Sequence, residues 1–369
     1  MLLDLARQIR ALPGRLKYRS ELSRRALKPP TGAPVVAFGD ACPKEGEIIH
    51  GGRVKLLHLM RGLPHDEAQF NVLYLVSSAI PPHALELVRW AKRAGVRMVW
   101  NQNGVGFPAW AGGSYARFNR PMIELFQLAD FVVYQSAFCQ ESAERWLGRA
   151  PAPSAVLFNP ADLADFAPAP QPPSLDTWRL LAAGTHHQPY RVLAALETLR
   201  HLRAAGLPAH LTVAGELRWP GAQREVHEAI ARLGLIDAVE LRPPFTQAQA
   251  AQMLRSAHVL LHAKYHDPCP TMVIEALACG VPVIGSRSGG MPELLGDEGG
   301  ELIDVPLSWD RSAYPQPEEM AAAVEKIMRD WPERSRCARV RAERLFDARQ
   351  WVAAHRDIFA ELGKTNPCA

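Results

Sequence analysis

The chain has 369 residues, 48% of them apolar and 22% charged. That composition is ordinary for a globular protein, and the length predicts two domains rather than a single core. A net charge of +4 is too mild to imply a nucleic-acid partner, and no apolar run is long enough to span a membrane.

Residues 1–33 read as a basic N-terminal segment. Within residues 1–30, eight Lys/Arg stand against two acidic residues, Asp4 and Glu21, a net charge of +6. Leu2, Leu5, Ile9 and Leu12 fall at helical spacing, and Pro13-Gly14 is expected to break the run. The start lacks the apolar core of a signal peptide. A short basic amphipathic helix can lie on anionic lipid, pack on its own domain or fray. All three readings stay open, and the first would place the protein in the cytoplasm, peripheral on the inner face of a membrane.

A first domain is expected over 34–165. "APVVAFGD" (33–40), "FNVLYLVSS" (70–78), "VRMVWNQNG" (96–104), "DFVVYQS" (130–136) and "SAVLFNP" (154–160) read as strands. Helical patterns separate them, two closing on Gly95 and Gly148. Strands of this length alternating with helices predict parallel βαβ units. Five prolines between 160 and 173 then mark a break, with the linker set at 166–177. The alternation restarts over 178–345, with strands in "RLLAAGT", "AHLTVAGE", "AVELRPPF" and "HVLLHA". The tail, 346–369, carries an amphipathic helix that can cross back to the first domain. The fold class is therefore α/β, two doubly wound Rossmann-like domains facing across a cleft, the usual place for a ligand.

Six cysteines, at 42, 139, 269, 279, 337 and 368, include no C-x-x-C pair. They indicate neither a zinc ribbon nor a disulfide framework and suit a reducing cytosol.

The chemistry concentrates in "HDPCPTMVIEALACGVPVIGSRSGG" (266–290). Between Asp267 and Arg287 it holds one charged residue, Glu275, in apolar company. A buried, unpaired carboxylate is costly, so something must partner it. Thr271 reads as the N-cap of a helix and Gly280 as its left-handed C′ residue. The free N–H groups of that first turn, at Thr271, Met272 and Val273, suit a phosphate. Glu275, one turn in, can accept two hydrogen bonds from a vicinal diol such as a ribose 2′/3′ pair. The plainer alternative pairs it with Arg287.

Asp267, seven residues, Glu275, and then "ALACGVPVIGSRSGGMPELLG" resemble the signature of glycosyltransferase family 4, retaining nucleotide-sugar enzymes of the GT-B fold. The family has a glutamate, seven residues, a second glutamate, a strand and a G-G-x-P-E turn. Here Gly289-Gly290-Met291-Pro292-Glu293 matches the turn. The resemblance implies that Glu275 holds the donor's ribose and that Asp267 contacts hydroxyls of the transferred sugar. It implies that Gly289 and Gly290 leave space near the sugar and phosphates. "GEIIHGGRV" is similar to the family's glycine-rich loop, in which Gly51 and Gly52 would bring backbone N–H groups to the diphosphate. An ordinary strand-to-helix turn is the alternative there.

There are three departures from the family pattern. Asp267 replaces the first glutamate. Thr185 and Tyr190 stand where the family carries an Arg and a Lys on the diphosphate, so Arg191 is expected to take the cationic, catalytic role with His186 or His187 assisting. Asn101-Gln102-Asn103 replaces a strand-end His; Asn101 and Asn103 are acceptor-side candidates that hydrogen-bond but cannot act as a base at neutral pH.

Two further patterns are weighed. "NGVGFPA" (103–109) mimics a dinucleotide fingerprint, but it follows the third strand and contains Pro108. His262, His266 and Cys269 lie close together, without a fourth partner for zinc.

The expected function is transfer of a hexose from a nucleoside diphosphate sugar to a hydroxyl of a saccharide or lipid-linked acceptor. No cofactor and no metal are expected. The setting implied is polysaccharide and cell-envelope synthesis. A GT-B phosphorylase, a sugar-nucleotide epimerase and a non-catalytic nucleotide-sugar-binding protein remain alternatives.

Overall fold

In the computed structural model of the protein, residues 2–39, 41–43, 47 and 51–364 are described, residues 2–11 and 51 by backbone only. Most of the "GEIIHGGRV" loop thus lies outside the described residues.

Two parallel sheets organise the molecule. The first has β1 (Val36–Ala37), β2 (Val72–Val76), β3 (Arg97–Gln102), β4 (Phe131–Tyr134) and β5 (Ser154–Val156), in that spatial order. On the free side of β1, His65 forms a single parallel bridge with Val36. The chain therefore leaves β1 through the helix Val54–Gly62, touches its outer edge, and returns to β2 on the inner side. This reversal at β1 is why the helices divide between two faces. Leu56 and Leu59 pack with Tyr74 and Val76 on one face, and Val88, Phe126 and Ala143 pack with Trp100 and Tyr134 on the other.

The second sheet holds β6 (Trp178–Ala183), β7 (Ala209–Ala214), β8 (Val239–Arg242), β9 (Val259–His262), β10 (Val283–Ser286) and β11 (Gly300–Ile303). Its order, β11-β10-β9-β6-β7-β8, reverses between β6 and β9. Loops leaving those two strands diverge at their carboxyl ends and open a crevice. Residues 157–177 between the sheets contain no helix or strand.

The C-terminal helix Ala348–Lys364 lies on the first domain. Trp351, Val352 and Phe359 join its core, and Tyr74 Oη lies 3.1 Å from His355 Nε2. Burial lowers the His355 imidazole to about 3, so this neutral ring sits in the core as a hydrogen-bonding partner.

The N-terminal helix Leu2–Arg24 runs through Pro13 rather than breaking there. Its second half docks on the helix Ala84–Arg93. Leu22 is buried in the first-domain core, Tyr18 packs against it, and Arg15 pairs with Glu86 at 2.6 Å. That docking offsets the hydrogen bond Pro13 cannot make. Of the three readings left open, packing on its own domain describes this half. Leu12 and Leu16 remain 50% and 55% exposed. Leu22→Ala is expected to cost about 2–4 kcal/mol in urea unfolding, whereas Leu16→Ala stays within about 0.5 kcal/mol. Equal effects would show that the helix is not anchored through Leu22.

Candidate functional site

The crevice between the sheets is a cavity of about 500 Å³. It takes residues from both domains, including Gly52, Asn103, Thr185, His187, Arg191, Asp267, Thr271, Met272 and Glu275. Those expected site residues are brought together. Asn101, Val273, Gly289 and Gly290 do not line it.

Two carboxylates stand in this cavity under opposite conditions. Glu275 is buried on the helix Thr271–Ala278, and burial pushes its carboxyl from 4.5 up to about 8, against a hydrogen bond from Gln247. No cation stands beside it among the described residues. Arg287, the plainer candidate, turns instead to Asp304 at 2.6 Å. Asp267 is equally hidden, and burial alone would raise its carboxyl. Lys264 Nζ at 3.0 Å and His262 Nε2 at 3.1 Å act on its Oδ2 and hold it well below the ordinary range. Burial depresses the His262 imidazole, so the neutral ring donates to Asp267.

The helix Thr271–Ala278 starts differently from expectation. Its N-cap is Pro270, extended at ψ 118°, and Thr271 is the first helical residue. The Val273 N–H reaches Pro270 O at 3.1 Å and its side chain lies in the core, so the free first-turn donors are those of Thr271 and Met272. The other end closes as read, with Gly280 at φ +70° and Val281 N–H on Ala276 O.

Gly289 and Gly290 serve the Asp267 loop rather than leaving space for a ligand. A Cβ on Gly289 would fall 2.5 Å from Asp267 O, and one on Gly290 would fall 2.0 Å from Pro268 O. Gly290 N–H also donates to Asp267 O at 2.9 Å. Glu293 of the same turn crosses the cleft. Its carboxylate accepts from the N–H groups of Ala137 and Phe138 at 2.7 and 2.8 Å, at the start of the helix Ala137–Trp146.

Arg191 sends Nη1 to Thr185 O at 2.7 Å, while its Nε is buried without a hydrogen-bond partner. Tyr190 is structural: its hydroxyl accepts from Tyr265 N–H at 3.0 Å, and its ring stacks on Tyr314. His187 is exposed at the cavity rim, whereas His186 is buried, bonds Ala214 O and is pushed down to about 3 by burial. Among the described residues no three His, Cys, Asp or Glu side chains converge as a metal site, so His262, His266 and Cys269 do not form one. "NGVGFPA" becomes a loop leading into the helix Pro108–Ala111.

Gly52 fits against the first-domain floor, where a Cβ would fall 2.0 Å from Ser78 Oγ. Gly51 opens the turn Gly51–Arg53 beside it. Beneath lies Lys55, which sequence reasoning missed. It is buried, donates to Asn101 Oδ1 at 2.7 Å and Asn103 Oδ1 at 3.1 Å, and burial lowers its ammonium to about 7. Asn101 is consumed by that contact. Asn103, fixed by Lys55 and Gln135, donates to Ser78 and faces the cavity. Lys264 was also missed, though it stands three residues before Asp267 at the end of β9. The stretch Pro244–Gln247, after β8, was a third omission that the position of strand ends at a sheet reversal could have flagged.

The fold is GT-B. The chain is similar to the Anabaena HepE structure in complex with UDP-glucose, with TM-score 0.64, 16% identity and coverage of 85% of this chain and 90% of that one. It is also similar to a sucrose-phosphate synthase from Thermosynechococcus elongatus, with TM-score 0.62, 17% identity and 79% and 74% coverage. Residues 176–344 match the family described as glycosyl transferases group 1, so the family likeness rests on the second domain. Among curated relatives, a D-inositol 3-phosphate glycosyltransferase of Streptomyces bingchenggensis is 42% identical over 72 residues, 20% of this chain and 16% of that enzyme. The chain thus matches about a sixth of that relative's length.

Between 4.5 and about 8, folded Glu275 keeps a proton that the unfolded chain has lost, so its burial costs stability as pH rises through that window. Glu275→Gln is therefore expected to raise the unfolding temperature of the ligand-free protein at pH 9 and to leave it nearly unchanged at pH 4.5. A variant less stable than the parent at pH 9 would show that the carboxylate is already satisfied.

Proposed function

We propose that the protein transfers a hexosyl group from a nucleoside diphosphate sugar to a hydroxyl acceptor, with retention at the anomeric carbon. One observation carries the reading. Glu275, buried with no cation beside it among the described residues, and Asp267, held ionised by Lys264 and His262, line one cavity beside the open N–H groups of Thr271 and Met272. The family match over 176–344 and the fold of nucleotide-sugar-bound neighbours support it. A UDP-sugar is the donor most in keeping with those neighbours.

In this reading Glu275 accepts hydrogen bonds from the ribose diol, with the nucleobase toward Phe245 and Gln247. The diphosphate lies between the N–H groups of Thr271 and Met272, the Gly51-Gly52 turn, Arg191 and Lys264. Arg191 and Lys264 together supply the two cations that Thr185 and Tyr190 do not. Asp267 orients the sugar hydroxyls. The acceptor oxygen bonds to the anomeric carbon as the bond to the diphosphate breaks, and the acceptor's proton passes to the departing phosphate oxygen on the same face. Preorganised donors stabilise the charge growing on that oxygen, usually the largest catalytic term.

We assign the work to polysaccharide or cell-envelope synthesis in the cytoplasm. No helix among the described residues is long and apolar enough to cross a membrane. The exposed Leu12 and Leu16 on the basic helix support peripheral contact with an anionic surface.

A thermal-shift screen of UDP, GDP, ADP and their sugars identifies the donor. With the diphosphate so chosen, Glu275→Ala is expected to lose tenfold or more in calorimetric affinity, about 1.5–3 kcal/mol for each charge-assisted hydrogen bond removed. Asp267→Asn should bind the free diphosphate nearly as the parent does while transfer falls. Equal losses of diphosphate affinity in both variants would sink this division of roles.

A further inference from the structure

The charge of the cavity is one-sided. Among the described residues that line it, the Lys, Arg, Asp and Glu side chains all come from the second domain: Arg191, Glu216, Lys264, Asp267 and Glu275. Among the described residues the first-domain wall offers neutral groups. Ser78, Asn103 and Ser142 are polar, and Phe107, Trp110 and Phe118 are aromatic. Lys55, the cation beneath that wall, is buried and spent on the oxygens of Asn101 and Asn103. Arg117 and Arg120 share a helix with Phe118 but do not line the cavity.

Trp110 and Phe118 are unusual in being 42% and 45% exposed at the mouth of this cavity. They meet edge to face, with ring centroids 4.9 Å apart. Their two helices are tied together, because Asn119 accepts from Gly106 N–H at 2.6 Å and donates to Gly106 O at 2.8 Å. From the second domain, Trp309 O accepts from Ala109 N–H at 2.8 Å, and Ser312 Oγ donates to Ala109 O at 2.9 Å. The aromatic pair is thus held from both sides while each ring stays partly exposed to solvent. Such preorganisation reduces the ordering cost of binding.

We infer that this aromatic pair marks the acceptor subsite and that it takes an uncharged saccharide, with one pyranose ring packing on Trp110 beside Phe118. This inference rests on the transfer reading above. A pyranose has an apolar face of C–H groups, which complements the electron-rich face of an indole or phenyl ring. Its rim of hydroxyls matches Ser78, Asn103 and Ser142, which donate and accept without charge. A phosphorylated polyol would be held best by a cation on this wall, and the described residues that line it supply none. During transfer the hydroxyl that attacks the anomeric carbon loses its proton to the departing phosphate oxygen, so the acceptor itself needs no charge.

The test uses the full chain with the donor found by thermal shift. The acceptors are a library of uncharged mono- to tetrasaccharides beside myo-inositol 1-phosphate, glucose 6-phosphate and polyprenyl phosphate. Transfer is expected to at least one uncharged saccharide and to none of the three phosphates at equal concentration. Trp110→Ala should raise KM for that saccharide tenfold or more while the donor still raises the unfolding temperature as it does in the parent, and Trp110→Phe should restore most of the loss. Because Trp110 is 42% exposed and lies outside the first-domain core, truncation is not expected to disturb folding, and a retained donor-induced thermal shift verifies this. Transfer to a phosphate acceptor alone, no transfer to any uncharged saccharide despite donor hydrolysis, or an unchanged KM in Trp110→Ala would overturn the inference. Absence of both donor binding and donor hydrolysis would instead bring down the transfer reading on which it rests.

Discussion

The architecture of the cleft depends on how two buried carboxylates are kept in one cavity. Removing a carboxylate from water is expensive unless a cation or hydrogen bonds replace the water. At Asp267 the protein supplies that replacement itself, through Lys264 and neutral His262. At Glu275 it supplies Gln247 and, among the described residues, no cation, and the carboxyl is pushed up to about 8. One charge is installed in advance and the other is held back. A free energy cost of this kind persists in a folded protein when a ligand offsets it, and stored cost clusters at functional sites.

Much of the surrounding structure serves to hold these two groups. The reversal of strand order between β6 and β9 opens the crevice, and the loop after β9 carries Lys264 and Asp267 into it. Gly289 and Gly290 let the loop after β10 pack directly on the Asp267 backbone. The same turn delivers Glu293 to the helix Ala137–Trp146 of the other domain, and Ser136 donates to Pro268 O at 2.7 Å. The acidic loop is therefore clamped between both domains. A small displacement of either domain would be felt at Asp267.

The alternation of strands and helices was legible because the strands are short, β-rich and bounded by Gly or Pro. The edge contact at His65 was not, since one bridged residue leaves no pattern. The helix through Pro13 was misread because local propensity disfavours it, whereas Leu22, Tyr18 and the Arg15–Glu86 pair act from outside the local sequence. In the cavity, Glu275, Asp267, Thr271 and Gly52 could be found because each sits in a motif with a fixed spacing. Lys55 could not, because its two partners, Asn101 and Asn103, lie more than forty residues away. Asn101 was misplaced because the strand's period of two puts it on the same face as Asn103, but Asn101 lies inside β3 and its Oδ1 is taken by Lys55, whereas Asn103, just past the strand end, reaches the cavity. The glycine pair was found but its purpose was not, because close backbone approach becomes visible only when the two loops are placed together.

The central claim is that Glu275 is a largely protonated group in the free protein and ionises when it grips a ribose. Isothermal calorimetry of the nucleoside diphosphate at pH 7, repeated in buffers of different ionisation enthalpy, tests it most directly. With a carboxyl at about 8, the account predicts release of close to one proton on binding, and loss of that release in Glu275→Gln. Binding of full strength with no difference in proton release between the parent and Glu275→Gln would contradict it.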